Sequence, residues 1–296
     1  MGGVSMTKTY DEIVALVRDT LVEAGSTFRE DKKIAYRNAI NTERSEQAKW
    51  VLEQVLANAE AAEMNKSPLC DDTGIPHLVI EVGEDCAVTG RMLDMIRKGV
   101  AEGLRKLPGR PMGIMGVDRE RIDQSGGLDP DPAGVEAAPI LIRRCPDNVI
   151  RLHILMFGGG PAIRAKTYRV FHKHDAQVVV DDIVNWATEG VAQLGCSPCT
   201  LAIGIGRSHF EAASMMLQAQ VDGRYDVQSE MEREITDRVN KAGIGPLGLH
   251  GETSVIATFM KVGPQRASGV RIVCVRPACC FEPRIATVEL DRGDQV

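Results

Sequence analysis

The sequence predicts an α/β fold. Three observations predict it: stretches in which apolar residues recur at helical spacing, shorter apolar runs of strand character between them, and glycine or proline where one kind gives way to the other. Helical and strand-like segments alternate along most of the chain, so helices pack on sheets within one architecture. No internal repeat or low-complexity tract interrupts the pattern.

Thr9-Tyr10-Asp11-Glu12 has the spacing of a capping box, and Ile13, Leu16, Val17 and Leu21 then recur at helical intervals until Gly25. A second helical run covers residues 43–64 and is expected to place Trp50, Val51, Val55 and Leu56 on one apolar stripe. It delivers the chain to Pro68 and Cys70. Leu78 to Val82 reads as a buried strand, and residues 91–107 read as a helix stopped by Pro108-Gly109. Cys70 therefore lies on a helix-to-strand connection.

Residues 108–139 are rich in Gly, Pro and Asp, and Asp129-Pro130-Asp131-Pro132 continues neither a helix nor a central strand. This segment is a long loop or a lobe boundary within one catalytic domain spanning residues 1–296. Residues 140–143 and 149–157 read as strands, the second ending in Gly158-Gly159-Gly160. A helix over 181–194, a strand over 200–205, helices over 209–219 and 231–242, and strands over 255–262, 270–275 and 285–290 follow.

Composition narrows the function. A net charge of -6 and 4% aromatic residues argue against nucleic acid as a partner, because phosphate binding needs a basic surface and single strands need stacking rings. An anionic substrate must then be held by a local cationic site. No apolar run of about 18 residues appears, and the N-terminus has neither a basic nor an apolar signal region, so no membrane association and a cytoplasmic location are expected. Eight cysteines without secretory features read as reduced thiols rather than a disulfide framework. Cys86, Cys145 and Cys274 read as small core residues.

Cys70 in Pro68-Leu69-Cys70-Asp71-Asp72-Thr73-Gly74, Cys196 in Cys196-Ser197-Pro198, and Cys279 each sit at a predicted turn beside a regular element. From there a thiolate can point into a shared cleft, so an iron-sulfur cluster is one reading. Cys196-Ser197-Pro198-Cys199 also has the spacing of a structural zinc or a thiol redox pair. Gly204-Ile205-Gly206 between a strand and a helix is a weak dinucleotide fingerprint, with His209 at the third glycine position, and reads better as a tight turn. Gly158-Gly159-Gly160 lets backbone N–H groups approach a carboxylate, or simply reverses the chain, while Arg164 and Lys166 close by offer positive charge for a dicarboxylate.

Taken together, these motifs resemble the iron-sulfur hydro-lyases of the class I fumarase and L-tartrate dehydratase alpha-subunit family. Cys70 matches the ligand of a Pro-x-Cys-Gln-Asp-Thr-Gly motif, and Asp72, Thr73 and Gly74 match the residues after it. Cys196 matches the ligand of a Cys-Pro-Pro-like motif, with Ser197 for the first proline. Cys279 matches the last ligand, with Cys280 as its adjacent rival and Arg284 in the segment that follows. Gly245-Pro246-Leu247-Gly248 resembles the family's Gly-Pro-Gln-Gly turn.

The resemblance implies mixed sheets flanked by helices, like the N-terminal domain of class I fumarases. It also implies a 4Fe-4S cluster on Cys70, Cys196 and Cys279, and removal of water from a small 2-hydroxy dicarboxylate such as malate or tartrate. Asp72 and Thr73 are then expected at the catalytic centre, and Asp71, Asp72, Gly159, Gly160, Arg164 and Lys166 at the substrate. Single-chain members carry the base and several substrate arginines in a further C-terminal domain. This chain is therefore expected to act as an alpha subunit with a separate beta subunit, as α2β2. Two departures bear on the substrate: Asp71 stands where the family has Gln, and Gln124-Ser125-Gly126-Gly127 is the nearest stand-in for its Asn-Thr-Gly motif. A noncatalytic zinc- or cluster-binding subunit is the alternative.

Overall fold

Thr9 caps the first helix, α1 (Tyr10–Ser26), through the expected box: its hydroxyl accepts from the Glu12 N–H while the Glu12 carboxylate accepts from the Thr9 N–H. The structure is a computed structural model that describes residues 8–107, 109–110 and 112–292. The chain divides into two compact units, one of Met1–Thr27, Ala61–Phe157 and Arg284–Val296, the other of Phe28–Glu60 and Gly158–Pro283. The Gly/Pro/Asp-rich segment falls inside the first. It carries a short helix, α5 (Asp118–Asp123), a 3-10 turn (Pro132–Val135) and an isolated bridge between Ile114 and Leu128.

The first unit is built on a mixed sheet. β1 (Ile75–Val82) pairs parallel with β2 (Leu141–Arg144) and antiparallel with β3 (Val149–Phe157), which pairs antiparallel with β8 (Ile285–Arg292). Period-2 alternation sends Leu78, Ile80, Leu152 and Ile154 into a core shared with Val17 and Leu21 of α1 and Ile96, Val100 and Leu104 of α4 (Gly90–Lys106). The opposite parity places Glu81 beside Arg143 and Arg151, and His153 beside Thr287. Glu81 accepts from Arg143 (Nη2, 2.7 Å) and Arg151 (Nη1, 2.8 Å), and His153 Nε2 lies 3.4 Å from it. Burial pushes the Glu81 carboxyl up, but the two guanidiniums outweigh it and hold the group below its ordinary value.

Burial depresses the His153 imidazole, and Glu81 opposes without reversing the shift. A depressed histidine binds fewer protons folded than unfolded, so its contribution is full above the ordinary value of about 6.5 and is lost as pH falls through the folded value. The unfolding free energy is expected to fall as pH drops below about 6.5, and His153→Gln is expected to flatten that slope. Urea titrations across pH 5 to 7 check it; equal slopes would contradict it.

The second unit carries another mixed sheet. β4 (Lys166–Phe171) pairs antiparallel with β7 (Val270–Ala278), β7 antiparallel with β5 (Cys199–Gly206), and β5 parallel with β6 (Val255–Val262). Ile183, Ala187 and Val191 of α7 (Ala176–Leu194) and Ile235 and Val239 of α9 (Glu230–Asn240) share a core with Leu201, Ile203, Val273 and Val275. Against β5 lies α8 (His209–Asp222). A Cβ on Gly204 would stand 2.0 Å from the Ala212 carbonyl oxygen, so the Gly204-Ile205-Gly206 pair admits the helix backbone and is a packing feature.

Three details depart from the sequence expectations. A further helix, α2 (Glu30–Thr42), precedes α3 (Glu46–Asn65); its cap Arg29 makes no side-chain capping bond and its buried face is Lys32, Tyr36 and Ala39. On α3 the buried stripe is Ala48, Val51, Leu52, Val55, Leu56 and Ala59, whereas Trp50 is 59% exposed. Residue 50 lies a quarter-turn or more off that stripe, at the helical angle of residues 54 and 57. Gly159 opens a one-and-a-half-turn helix, α6 (Gly159–Arg164), and Lys166 opens the edge strand β4.

Candidate active site

In the first unit the Cys70 motif is a turn tied down at both ends. The Leu69 N–H donates to the Gly25 carbonyl at 2.9 Å, and the Leu69 side chain is buried. Cys70 is half-buried, with Sγ 3.3 Å from the Asp71 carboxylate. Asp71 is exposed and lies 3.4 Å from the Arg110 guanidinium, while the Thr73 hydroxyl, buried, donates to the Arg110 carbonyl at 3.2 Å.

Arg284 organises this turn. Its guanidinium is 2% exposed and donates to the carbonyls of Asp72 (2.6 Å) and Met156 (3.1 Å), while its own carbonyl accepts from the Met156 N–H. Gly74 has φ +85°, and a Cβ there would stand 2.5 Å from Arg284 Nη2 and 2.9 Å from the Phe157 carbonyl oxygen. Only glycine fits both the backbone conformation and the space. Gly74→Ala is expected to lower stability by about 1–3 kcal/mol and to displace Arg284, seen as a lower urea midpoint. An unchanged midpoint would count against this packing.

In the second unit strand register brings two cysteine-bearing loops together. β5 begins at Cys199 and β7 ends at Ala278, with Thr200 opposite Ala278, so the loops before one and after the other leave the same end of the sheet. There the Cys280 N–H donates to the Cys196 carbonyl at 2.9 Å, and the Glu282 N–H closes a turn onto the Cys279 carbonyl at 2.9 Å. Cys196 is exposed and Cys279 half-buried, whereas Cys199 and Cys280 are buried. Burial, reinforced by Cys279, pushes the Cys199 thiol up; its contact with Cys279 and then burial push Cys280 well above the ordinary thiol value. All eight cysteines are free thiols.

Ser197 uses its hydroxyl where the family motif has a ring. It donates to the Gly245 carbonyl at 2.6 Å, while the Leu247 N–H donates to the Ser197 carbonyl and the Gly245 N–H to Ser254 Oγ at 3.0 Å each. The Cys196 loop is thus bolted to the Gly-Pro-Leu-Gly turn. Glu43 supports that turn's far end, accepting from the N–H groups of Glu252 (2.9 Å) and Thr253 (3.3 Å).

The glycine run rests on a buried ion pair. Glu282 and Arg276 are 0% and 2% exposed and bonded to each other; Glu282 Oε1 accepts from the Gly158 N–H at 2.5 Å, and Arg276 Nη2 donates to the Gly158 carbonyl at 3.5 Å. Arg164 donates to the Gln193 carbonyl at the end of α7 (2.7 Å) and to Gly160 (3.3 Å). Lys166 lies 4.1 Å from the Trp186 ring centroid and 5.1 Å from that of Tyr168.

The structure therefore gathers Cys70, Asp71, Asp72 and Thr73 around one turn, and Cys196 with Cys279 around another. It turns Arg164 and Lys166 toward α7 and an aromatic face. Within neither unit do the described residues form a group of three or more His, Cys, Asp or Glu side chains set to hold a metal ion. No helix among them is long and apolar enough to cross a membrane. Sequence reasoning missed Arg276, Glu282, Lys32 and Tyr36; the four-residue spacing of Phe28, Lys32 and Tyr36 was the one available signal.

The profile of the fumarate hydratase (Fumerase) family matches residues 14–289. The chain belongs to the fumarate hydratase family. Among its relatives, a protein named as a putative L(+)-tartrate dehydratase subunit alpha from Methanocaldococcus jannaschii is 25% identical over 298 residues, 96% of this chain and 99% of the relative. The L(+)-tartrate dehydratase subunit alpha of Escherichia coli K12 is 23% identical over 78% of this chain and 76% of its own length. A protein named as a putative class I fumarate hydratase from Geobacillus stearothermophilus is 24% identical over 87% of this chain, which spans 50% of that relative. The two mixed sheets with their helices are the α/β fold of a fumarate hydratase domain. As a member, the chain is an enzyme of the hydro-lyase class.

Proposed function

We propose that the chain is the alpha-type subunit of a hydro-lyase that holds a 4Fe-4S cluster on Cys70, Cys196 and Cys279. It reversibly removes water from a small 2-hydroxy dicarboxylate such as malate or tartrate. The observation that carries this reading is the pairing of the Cys196 and Cys279 loops at the shared end of β5 and β7. An exposed Cys196 and a half-buried Cys279, on loops from distant sequence joined by the Cys280 N–H on the Cys196 carbonyl, suit thiolate ligation of iron. A cluster bound through three thiolates supplies an iron with an open position, a Lewis acid toward a hydroxyl or carboxylate oxygen.

The remaining roles fall to the chain's own groups. Asp72, positioned through its carbonyl by Arg284, carries the carboxylate that can hold or move a proton, and Thr73 fixes the turn through Arg110. Gly159 and Gly160 offer backbone N–H groups to a substrate carboxylate once Glu282 has fixed Gly158. Arg164 and Lys166 are the weaker members of the substrate set, since α7 and Trp186 already engage them. The relatives named as alpha subunits support a partner subunit; a separately encoded beta subunit, in an α2β2 assembly, completes this reading.

Asp71 sits where a dianion is to bind, and its exposure and the Arg110 guanidinium soften its charge. Two unit charges about 4 Å apart repel by about 1 kcal/mol in water. Asp71→Gln is accordingly expected to raise kcat/KM for fumarate hydration by roughly fivefold, and an unchanged value would remove the charge from the explanation. The function itself is tested by assaying the cluster-loaded chain alone and with its beta subunit. Malate or tartrate should be dehydrated only by the pair, and full turnover by the chain alone would overturn the two-subunit reading.

A further inference from the structure

Glu43, 7% exposed, stands where α2 hands over to α3. One of its carboxylate oxygens accepts from the N–H groups of Arg44 and Ser45 at 3.1 Å each, which shapes that junction. The other accepts from Glu252 at 2.9 Å and Thr253 at 3.3 Å, a stretch of chain 209 residues further on. Main-chain N–H groups from two distant segments thus converge on one carboxylate, the strong, charge-assisted kind of hydrogen bond. A close approach is built in at Gly251: its φ is +150°, and a Cβ there would stand 2.8 Å from Ala48 Cβ and 3.0 Å from Glu43 Oε2.

The loop that runs into this anchor is strained. Leu247 (φ +52°) and His250 (φ +62°) are non-glycine residues in the left-handed region, which persists only where surrounding bonds hold it. Within the loop the His250 N–H donates to the Ile244 carbonyl at 2.9 Å. Ser254, next after Thr253, accepts the Gly245 N–H on its hydroxyl and the Cys199 N–H on its carbonyl, at 3.0 Å each. Ser197 in turn donates its hydroxyl proton to the Gly245 carbonyl and accepts the Leu247 N–H on its own carbonyl. The stretch that ends on Glu43 therefore grips the Cys196 loop at Ser197 and at Cys199.

We propose that Glu43 is a positioning residue: it holds the strained Gly245–Gly251 loop in place and, through that loop, sets where Cys196 stands. The consequence for iron rests on the reading that Cys196 ligates a cluster; the hold on the loop does not. Glu43 touches no reacting atom and acts through main-chain hydrogen bonds. A carboxamide cannot replace it, since glutamine has one acceptor oxygen and would turn its NH2 group toward main-chain N–H donors.

The full chain with its beta subunit is compared as wild type, Glu43→Gln, Gly251→Ala and Ile183→Val, the last loosening the same unit through its core on α7. Hydrogen exchange read by mass spectrometry follows the Gly245 and Leu247 amides, which bond to Ser254 and Ser197 rather than to Glu43. In Glu43→Gln they should exchange roughly tenfold faster, in Gly251→Ala likewise, and in Ile183→Val at the wild-type rate. A Glu43→Gln rate equal to that of wild type or of Ile183→Val overturns the role, leaving Glu43 a support of the α2–α3 junction alone. Gly251→Ala carries the same comparison where Glu43→Gln does not fold. After anaerobic reconstitution with ferrous iron and sulfide, Glu43→Gln should lose iron in air several-fold faster than Ile183→Val. Equal loss beside faster exchange overturns the link from the loop to Cys196. A wild type that takes up no cluster overturns the cluster reading, and the exchange rates still decide the hold of Glu43 on the loop.

Discussion

Replacing Arg276 with methionine is expected to destabilise the protein by about 3–5 kcal/mol, the effect of leaving one partner of a buried pair uncompensated. Glu282 would keep its carboxylate in a site with no exposure after losing the guanidinium it is bonded to. A midpoint shift in urea with an unchanged slope would report the loss. The control is Arg276→Met combined with Glu282→Gln, which removes both charges while keeping an acceptor for Gly158. It should recover a large part of the stability, since replacing a whole buried pair is often near neutral. If the single change costs less than about 1 kcal/mol, the pair is not the support of the glycine run that its burial indicates.

The second large effect separates Cys279 from Cys280. The thiolate is the form that binds metal, and Cys280 is buried, its thiol pushed well above its ordinary value by contact with Cys279 and then by burial, while Cys279 is half-buried. Cys279→Ser is expected to abolish retention of iron and sulfide after anaerobic reconstitution, and Cys280→Ser to retain both. The reverse result would make Cys280 the ligand and turn the loop over. Because Cys280 packs at 3% exposure, its serine variant also carries a folding cost, so circular dichroism accompanies the metal analysis.

Elements whose local chemistry matches their packing were legible in the sequence. The Thr9 and Glu12 box, the Ile13 to Leu21 stripe and the apolar run into Phe157 each carry their own signal, and each stands where expected. Helix α2 was not legible, because its buried face includes a lysine and a tyrosine and its cap is an arginine with no side-chain capping bond. Trp50 misled for the opposite reason: a large apolar residue was counted into a stripe whose geometry excludes it. Edge strand β4 was hidden because its charged residues, Lys166 and Arg169, break up the apolar run.

The site divides in the same way. Motif residues at a turn, such as Asp72 to Gly74, could be read locally. The approach of Cys196 to the Cys279 loop could not, since it follows from the antiparallel register of β5 and β7. The buried charges Arg276, Glu282 and Lys32 were beyond reach for a related reason: each reads as an ordinary surface residue until its burial is known.

The most direct test is to purify the chain anaerobically with the proposed beta partner, measure iron and sulfide, and record electron paramagnetic resonance with and without malate or tartrate. About four irons per chain with a signal that shifts on adding the hydroxy acid is the expected result, as an iron open to substrate requires. Zinc in place of iron, or a cluster whose signal ignores every hydroxy acid tried, would contradict the hydro-lyase centre and leave a structural metal subunit.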